Sequence, residues 1–187
     1  MIDVYIYETK NIHDVILPDN LDKHCNRYLV KKKQKTSRYA YYLLANILKN
    51  KNYNPSLITF TNDGKPIHPE ISFSISHSNG YIAIATSKDE VGIDVEDLFV
   101  DRRLKMATRI LTEEELNIFN KKLDQTGYLT EKWTLKEAYA KYLGTGITKN
   151  VLQTTVKGLS INVKGAVVSV YPKDNNMKLF YEAWKIY

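Results

Sequence analysis

Three short β-branched runs, "ISFSIS" (71–76), "YIAIATS" (81–87) and "VGIDVE" (91–96), follow one another with only "HSNG" and "KDE" between them. Gaps that short suit hairpin turns, so the segment predicts a meandering antiparallel sheet. An earlier run, "IDVYIY", alternates Ile2, Val4 and Ile6 with Asp3, Tyr5 and Tyr7, which reads as an opening strand. Between them, "NLDKHCNRYLV" and "SRYAYYLLANILK" are helix-length, the second with Tyr41, Leu44, Ala45 and Leu48 at helical spacing. The lysine run "KKKQK" between these two helices reads as a solvated helix face or turn. "SLITF" reads as a further strand, and "TNDGKP" after it carries turn chemistry, with Pro66 ending the ladder.

The order then repeats. Thr112 with Glu115 three residues later is a capping-box pattern, and "TEKWTLKEAYAKYLG" is a helix closed by Gly144. The runs "LSINV", "AVVSVY" and "KLFYEAWKIY" finish the chain as strands. Helix-then-strand order occurring twice predicts an α+β fold of two similar halves, residues 1–88 and 89–187, in a chain of 187 residues.

The composition narrows the class of function. Hydrophobic residues make up 43% and charged ones 26%, a globular balance rather than a disordered one. No run approaches the roughly 18 apolar residues of a membrane span, and "MIDVYIYETKN" lacks the basic and apolar segments of a signal peptide. With Cys25 as the sole cysteine, no intrachain disulfide and no Cys/His zinc spacing exist. A cytoplasmic location is the expectation. Of the net charge of +6, most lies in residues 1–88, with 12 Lys/Arg against 7 Asp/Glu, while residues 89–187 hold 15 against 14. An anionic partner for the first half follows, unless the lysines are mere composition.

Three constellations could carry chemistry. Asp94 and Glu96 stand at i and i+2 of a strand, so they share a face while Ile93 and Val95 take the other. Adjacent carboxylates repel, which a divalent cation with oxygen ligands relieves; two solvated acids on a sheet surface are the plainer alternative. Glu137 and Lys141 lie four apart on the later helix, either as a surface pair worth about 0.3 kcal/mol or as a third oxygen ligand and a phosphate-binding ammonium. Ser76 and His77 end a strand and enter a turn, where a histidine either bonds a backbone carbonyl or, with "DGKP" and Arg38, joins a phosphate site. No serine elbow, phosphate-binding P-loop or dinucleotide glycine pattern is present.

Taken in order, "GKP" (64–66), "FSISHS" (73–78), "VGIDVE" (91–96) and "WTLKEAYAKYLGTGI" (133–147) resemble the 4'-phosphopantetheinyl transferase superfamily, in its larger, surfactin-synthetase-type branch. The resemblance spans about Arg38 to Ile147. It implies two α+β halves packed as a monomeric pseudo-dimer with coenzyme A between them, the first half on the adenine and phosphate side and the second on the metal and carrier side. The implied reaction moves the phosphopantetheine arm of coenzyme A onto a serine of an acyl, peptidyl or aryl carrier protein, releasing adenosine 3',5'-bisphosphate. Magnesium is the implied ion, with manganese possible. Matched position by position, Asp94, Glu96 and Glu137 correspond to the metal-binding carboxylates, Lys141 to the pyrophosphate lysine, and Glu137 also to a proposed general base. Lys136 belongs to the same motif. Ser76 and His77 match the pair that meets the phosphates, Lys65 the adenine-side lysine and Arg38 an arginine for the 3'-phosphate.

The resemblance also implies carrier docking near residues 102–119, where Arg102, Arg103, Lys105 and Arg109 suit an acidic partner unless they form only a solvated face of an amphipathic helix. Two departures stand out. The region "LDKHCNRYLVKKKQKTSR" aligns with no basic pattern, leaving Lys23 and Lys31 to Lys33 unassigned, and family chains continue past a run like "FYEAWKIY" into one more strand, which predicts a missing edge strand in the second half. Two other readings are a coenzyme A or nucleotide-binding member without transfer activity, and a nucleic-acid-binding domain prompted by the basic first half and 14 tyrosines. Neither membrane nor nucleic acid is expected as a partner.

Overall fold

A computed structural model describes residues 1–27, 30–62 and 64–181. Tyr28 and Leu29 of the predicted first helix, Asp63 of the predicted turn, residues 182–187 of the last predicted strand and the Arg102 side chain lie outside the described residues. The chain runs β1 (Asp3–Glu8), α1 (Asp19–Cys25), α2 (Lys31–Asn50), β2 (Thr59–Phe60), β3 (Pro66–Ile67), β4 (Ser72–His77), β5 (Tyr81–Ser87) and β6 (Gly92–Asp97). It continues through α3 (Ala107–Ile110), α4 (Glu113–Phe119), α5 (Gln125–Leu143), α6 (Lys149–Leu152), β7 (Leu159–Val163), β8 (Ala166–Tyr171) and β9 (Lys178–Tyr181). The fold is α+β. No helix among the described residues is long and apolar enough to cross a membrane.

The period-two pattern of β1 sorts its residues between two cores rather than between core and solvent. Tyr5 and Tyr7 face α1 and α2, in the company of Leu21, Leu44, Leu48, Ile82 and Ile84. Ile2, Val4 and Ile6 face the other way and pack with Ala83 and Ala85 against Val91 and, from the second sheet, Ile93, Val95, Val168 and Val170. The layers are therefore helices, sheet β4-β5-β1-β9, sheet β6-β8-β7, and then α5, which packs on β6 and β8. β9 comes late in the chain yet pairs in parallel with β1, placing Lys178–Tyr181 in the sheet of the first half.

β6 does not extend the meander formed by β4 and β5. β5 already has β4 on one edge and β1 on the other, so it offers β6 no free ladder, and β6 pairs with β8 instead. Pro66 likewise does not end the ladder but pairs with Phe60 in a small hairpin. The solvated reading of the lysine run holds: Lys31, Lys32, Lys33 and Lys35 are exposed on the first turns of α2.

Local signals positioned the later helices as expected. Thr112 and Glu115 form the capping box of α4, and α5 ends at Gly144 with φ +70°, a left-handed conformation that glycine adopts without steric cost. The basic segment from residue 102, for which a solvated amphipathic helix is the alternative to a docking surface, begins as a 3-10 stretch (Asp101–Met106) followed by the single turn α3. Thr112→Ala should lower stability by about 1 kcal/mol, the usual cost of losing an N-cap oxygen. Chemical denaturation monitored by circular dichroism checks this, and an unchanged midpoint would mean that the box is dispensable.

Candidate active site between the two sheets

β4 and β6 are edge strands of different sheets, and they meet along a seam without a ladder. Side chains satisfy the exposed edge of β6. The Ile93 N–H donates to Ser74 Oγ at 3.1 Å, and the Ile93 carbonyl accepts from Lys141 Nζ at 3.1 Å. Buried backbone polar groups need such partners, so the serines of "FSISHS" and the lysine of α5 fasten the seam. Asp94 sits within it. Its Oδ1 accepts from Ser76 Oγ and from Lys141 Nζ, both at 2.7 Å, and its Oδ2 is buried without a hydrogen-bond partner.

Beside the seam opens a cleft of about 540 Å³. Its walls come from α2 (Ser37, Ala40, Tyr41), from the turn at Gly64–Pro66, from β4 (Phe73 to Ile75, His77), and from α5 and the loop after it (Glu137, Ala140, Lys141, Gly144 to Gly146). The structure thus brings Lys65, His77, Glu137 and Lys141 to one cleft, adjacent to Asp94. It also brings His24, which sequence spacing had not flagged. The His24 ring stacks on Phe60 at 3.9 Å and meets Tyr41 edge-on, so its place depends on a strand 36 residues away that no local pattern reveals.

Three predicted residues are placed elsewhere. Lys136 does not reach the cleft: it is fully buried, paired with Glu115 at 3.0 Å, and donates to the carbonyls of Leu152 and Thr154. The expectation that it binds coenzyme A is corrected accordingly, because an ammonium with three acceptors has no donor left for a ligand. Arg38 is bonded to Asp22 and to the Val15 carbonyl and lines a separate hollow of about 320 Å³ with Lys31 and Lys35. Ser76 points at Asp94 rather than into the cleft.

The electrostatics of the acids are coupled. Burial, then the Asp94 charge, pushes the Glu96 carboxyl upward, opposed by a hydrogen bond from Trp133 and by Arg103. Burial and Asp94, with a smaller part from Glu96, also raise Glu137, while Lys141 pulls it down. His77 is lowered by burial and by the Lys141 ammonium. Among the described residues no three His, Cys, Asp or Glu side chains converge tightly enough to hold a metal ion. In this arrangement the Lys141 ammonium is the cation against Asp94. The donor chemistry nonetheless fits a hard divalent cation: all oxygens, mutually repelling carboxylates, and one buried carboxylate oxygen still without a partner.

Sequence comparison bears on what such a site belongs to. The profile of the 4'-phosphopantetheinyl transferase superfamily matches residues 90–182. The 4'-phosphopantetheinyl transferase gsp of Aneurinibacillus migulanus is 30% identical over 173 residues, covering 76% of this chain and 73% of that protein. The 4'-phosphopantetheinyl transferase Sfp of Bacillus subtilis is 26% identical over 149 residues, 75% of this chain and 66% of that protein. A relative from Haemophilus influenzae is 27% identical, and this chain spans 66% of its length, just under two thirds. With both the profile and a relative at this identity and coverage in agreement, the chain belongs to the 4'-phosphopantetheinyl transferase superfamily.

Proposed function

We propose that this protein transfers the 4'-phosphopantetheine moiety of coenzyme A to a serine hydroxyl of an apo carrier protein and releases adenosine 3',5'-bisphosphate. The observation that carries the reading is the cleft itself, where Lys65, His77 and Lys141 face Glu137 beside the buried Asp94. A pyrophosphate is a dianion or more, and the ammonium groups of Lys65 and Lys141 in a partly enclosed cleft stabilise both it and the charge that develops on the leaving oxygen, with His77 as a hydrogen-bonding partner. Family membership and the names of the relatives support the same reaction.

Within this reading, Lys141 and His77 bind the phosphates from opposite walls, α5 and β4. Lys65 supplies a cation from the turn at the cleft mouth. The serine Oγ attacks the phosphorus bearing the pantetheine, the bond from that phosphorus to the bridging oxygen breaks, and the serine proton must leave. Glu137 receives it, directly or through a water; burial and the Asp94 charge raise its proton affinity, as suits a base. Asp94, Glu96 and Glu137 would hold a magnesium ion, or manganese in its place, and such an ion supplies charge neutralisation at the pyrophosphate.

The same reading assigns residues 1–88 to the coenzyme A side and 89–187 to the metal and carrier side, as a pseudo-dimer within one monomeric cytoplasmic chain. Helices on the outer face of each sheet support that two-half arrangement. The carrier docks around residues 102–119, where Arg103, Lys105 and Arg109 are exposed close to exposed Val100 and Met106. The test is incubation with coenzyme A, magnesium and a panel of apo carrier proteins, followed by mass spectrometry. At least one carrier should gain the phosphopantetheine mass. Coenzyme A binding with no transfer to any carrier would instead select a binding member of the fold without transfer activity.

A further inference from the structure

Lys136 and Glu137 are neighbours on α5, and at about 100° per residue their side chains leave the helix in different directions. Glu137 lines the cleft. Lys136 points into the protein, where it is 0% exposed and the largest side chain among the fully buried ones. Its Nζ meets three acceptors: Leu152 O at 2.7 Å, Thr154 O at 2.8 Å and Glu115 Oε2 at 3.0 Å. These come from the end of α6, the segment after it, and α4, so one ammonium ties three parts of the chain to α5.

Glu115 is itself held. The same Oε2 accepts from the Thr112 N–H at 3.0 Å, and the Glu115 N–H donates to Thr112 Oγ1 at 3.2 Å, closing the capping box of α4. Glu115 is only 2% exposed, so it cannot swing to follow a displaced lysine. Apolar contacts tolerate a small rotation or slide of a helix, whereas an ammonium with three fixed oxygens does not. Buried ion pairs are weak sources of net stability, and their best-attested use is to select one arrangement.

We infer that Lys136 is a positioning residue rather than a ligand: paired with Glu115, it sets the rotation and axial placement of α5 that aims Glu137 and Lys141 into the cleft. The inference rests on the transfer reading above. A misplacement of about 1 Å at reacting groups costs on the order of 10²-fold in rate, so a device of this kind acts on kcat. Because Lys136 touches no part of the cleft, coenzyme A affinity changes only through the small displacement of Lys141 and the cleft wall on α5, and by much less than kcat.

The test uses the double variant Glu115→Leu/Lys136→Met, which removes both charges and leaves neither unpaired. It should keep a cooperative melt, bind coenzyme A by calorimetry within about threefold of wild type, and lose on the order of 10²-fold in kcat with KM nearly unchanged. Glu115→Gln is the single-site companion: it keeps the shape and an acceptor for Lys136 but leaves the buried ammonium without its anion, so it costs stability while kcat falls by about tenfold. If both variants fold and turn over at the wild-type rate, or if coenzyme A affinity falls more than tenfold while kcat holds, the inference is overturned and the transfer reading stands. A double variant that does not fold leaves Glu115→Gln to decide on the same criteria. Wild-type protein that modifies no carrier at all sinks the transfer reading, and this inference with it.

Discussion

Gly92→Ala should destabilise the protein by about 3 kcal/mol and remove most activity, although it adds one methyl group. A Cβ at position 92 would lie 1.9 Å from the Ala138 carbonyl oxygen, 2.8 Å from the Tyr142 nitrogen and 2.9 Å from the Ala138 carbonyl carbon. All three are backbone atoms of α5, which cannot rotate aside as a side chain can. Relief demands that β6 and α5 separate by more than about 1 Å, opening a close backbone-to-backbone contact. Overpacking a core costs about 1–3 kcal/mol, and a clash with helix backbone belongs at or above the upper end. The activity loss follows from geometry, since Asp94 and Glu96 ride on β6 while Glu137 and Lys141 ride on α5. Urea denaturation gives the first quantity and carrier modification the second. A midpoint within error of wild type would show that the two elements move apart freely.

The capping box at Thr112 and the helix stop at Gly144 were legible in the sequence. Each is a local signal, decided within a few residues by steric or hydrogen-bonding rules. The alternation of Ile93 and Val95 with Asp94 and Glu96 was legible for the same reason, and Ile93 and Val95 indeed lie in the core between the sheets. What was not legible depended on distant partners. β6 looked like the third strand of a meander because nothing in "YIAIATS" discloses that β1 occupies its second edge. Ser76 looked like a phosphate ligand, yet its hydroxyl faces Asp94 from the other side of the seam.

Lys136 shows the limit most clearly. The resemblance places Lys136 in the same motif as Glu137, and only the folded arrangement shows that it points away, toward Glu115, 21 residues earlier in the chain. Arg38 teaches the converse. Its guanidinium is already engaged by Asp22 and the Val15 carbonyl, a pairing set by how α1 and the loop before it lie on α2. Residue type and spacing identify which groups could act; competition among acceptors decides which ones remain free to do so.

Asp94→Asn isolates that distinction at the centre of the site. The substitution keeps the volume of the side chain and retains one oxygen for Ser76 and Lys141, but it replaces the unpartnered buried Oδ2 with an amide NH2. The fold should therefore persist, with a thermal midpoint within a few degrees of wild type, because seam contacts through Ser74, Ile93 and Lys141 do not require the carboxylate charge. Transfer should fall on the order of 10³-fold, about 4 kcal/mol of transition-state stabilisation. Three consequences act together in that loss. An oxygen donor for a divalent cation disappears, the Lys141 ammonium loses its anionic anchor, and Glu137 loses the Asp94 charge that raises its proton affinity. Adding manganese or excess magnesium should not restore the rate, since a neutral amide with its NH2 facing the site offers no anionic oxygen there. Turnover within tenfold of wild type would remove Asp94 from the proposed chemistry and leave it as a fastener of the seam between β4 and β6.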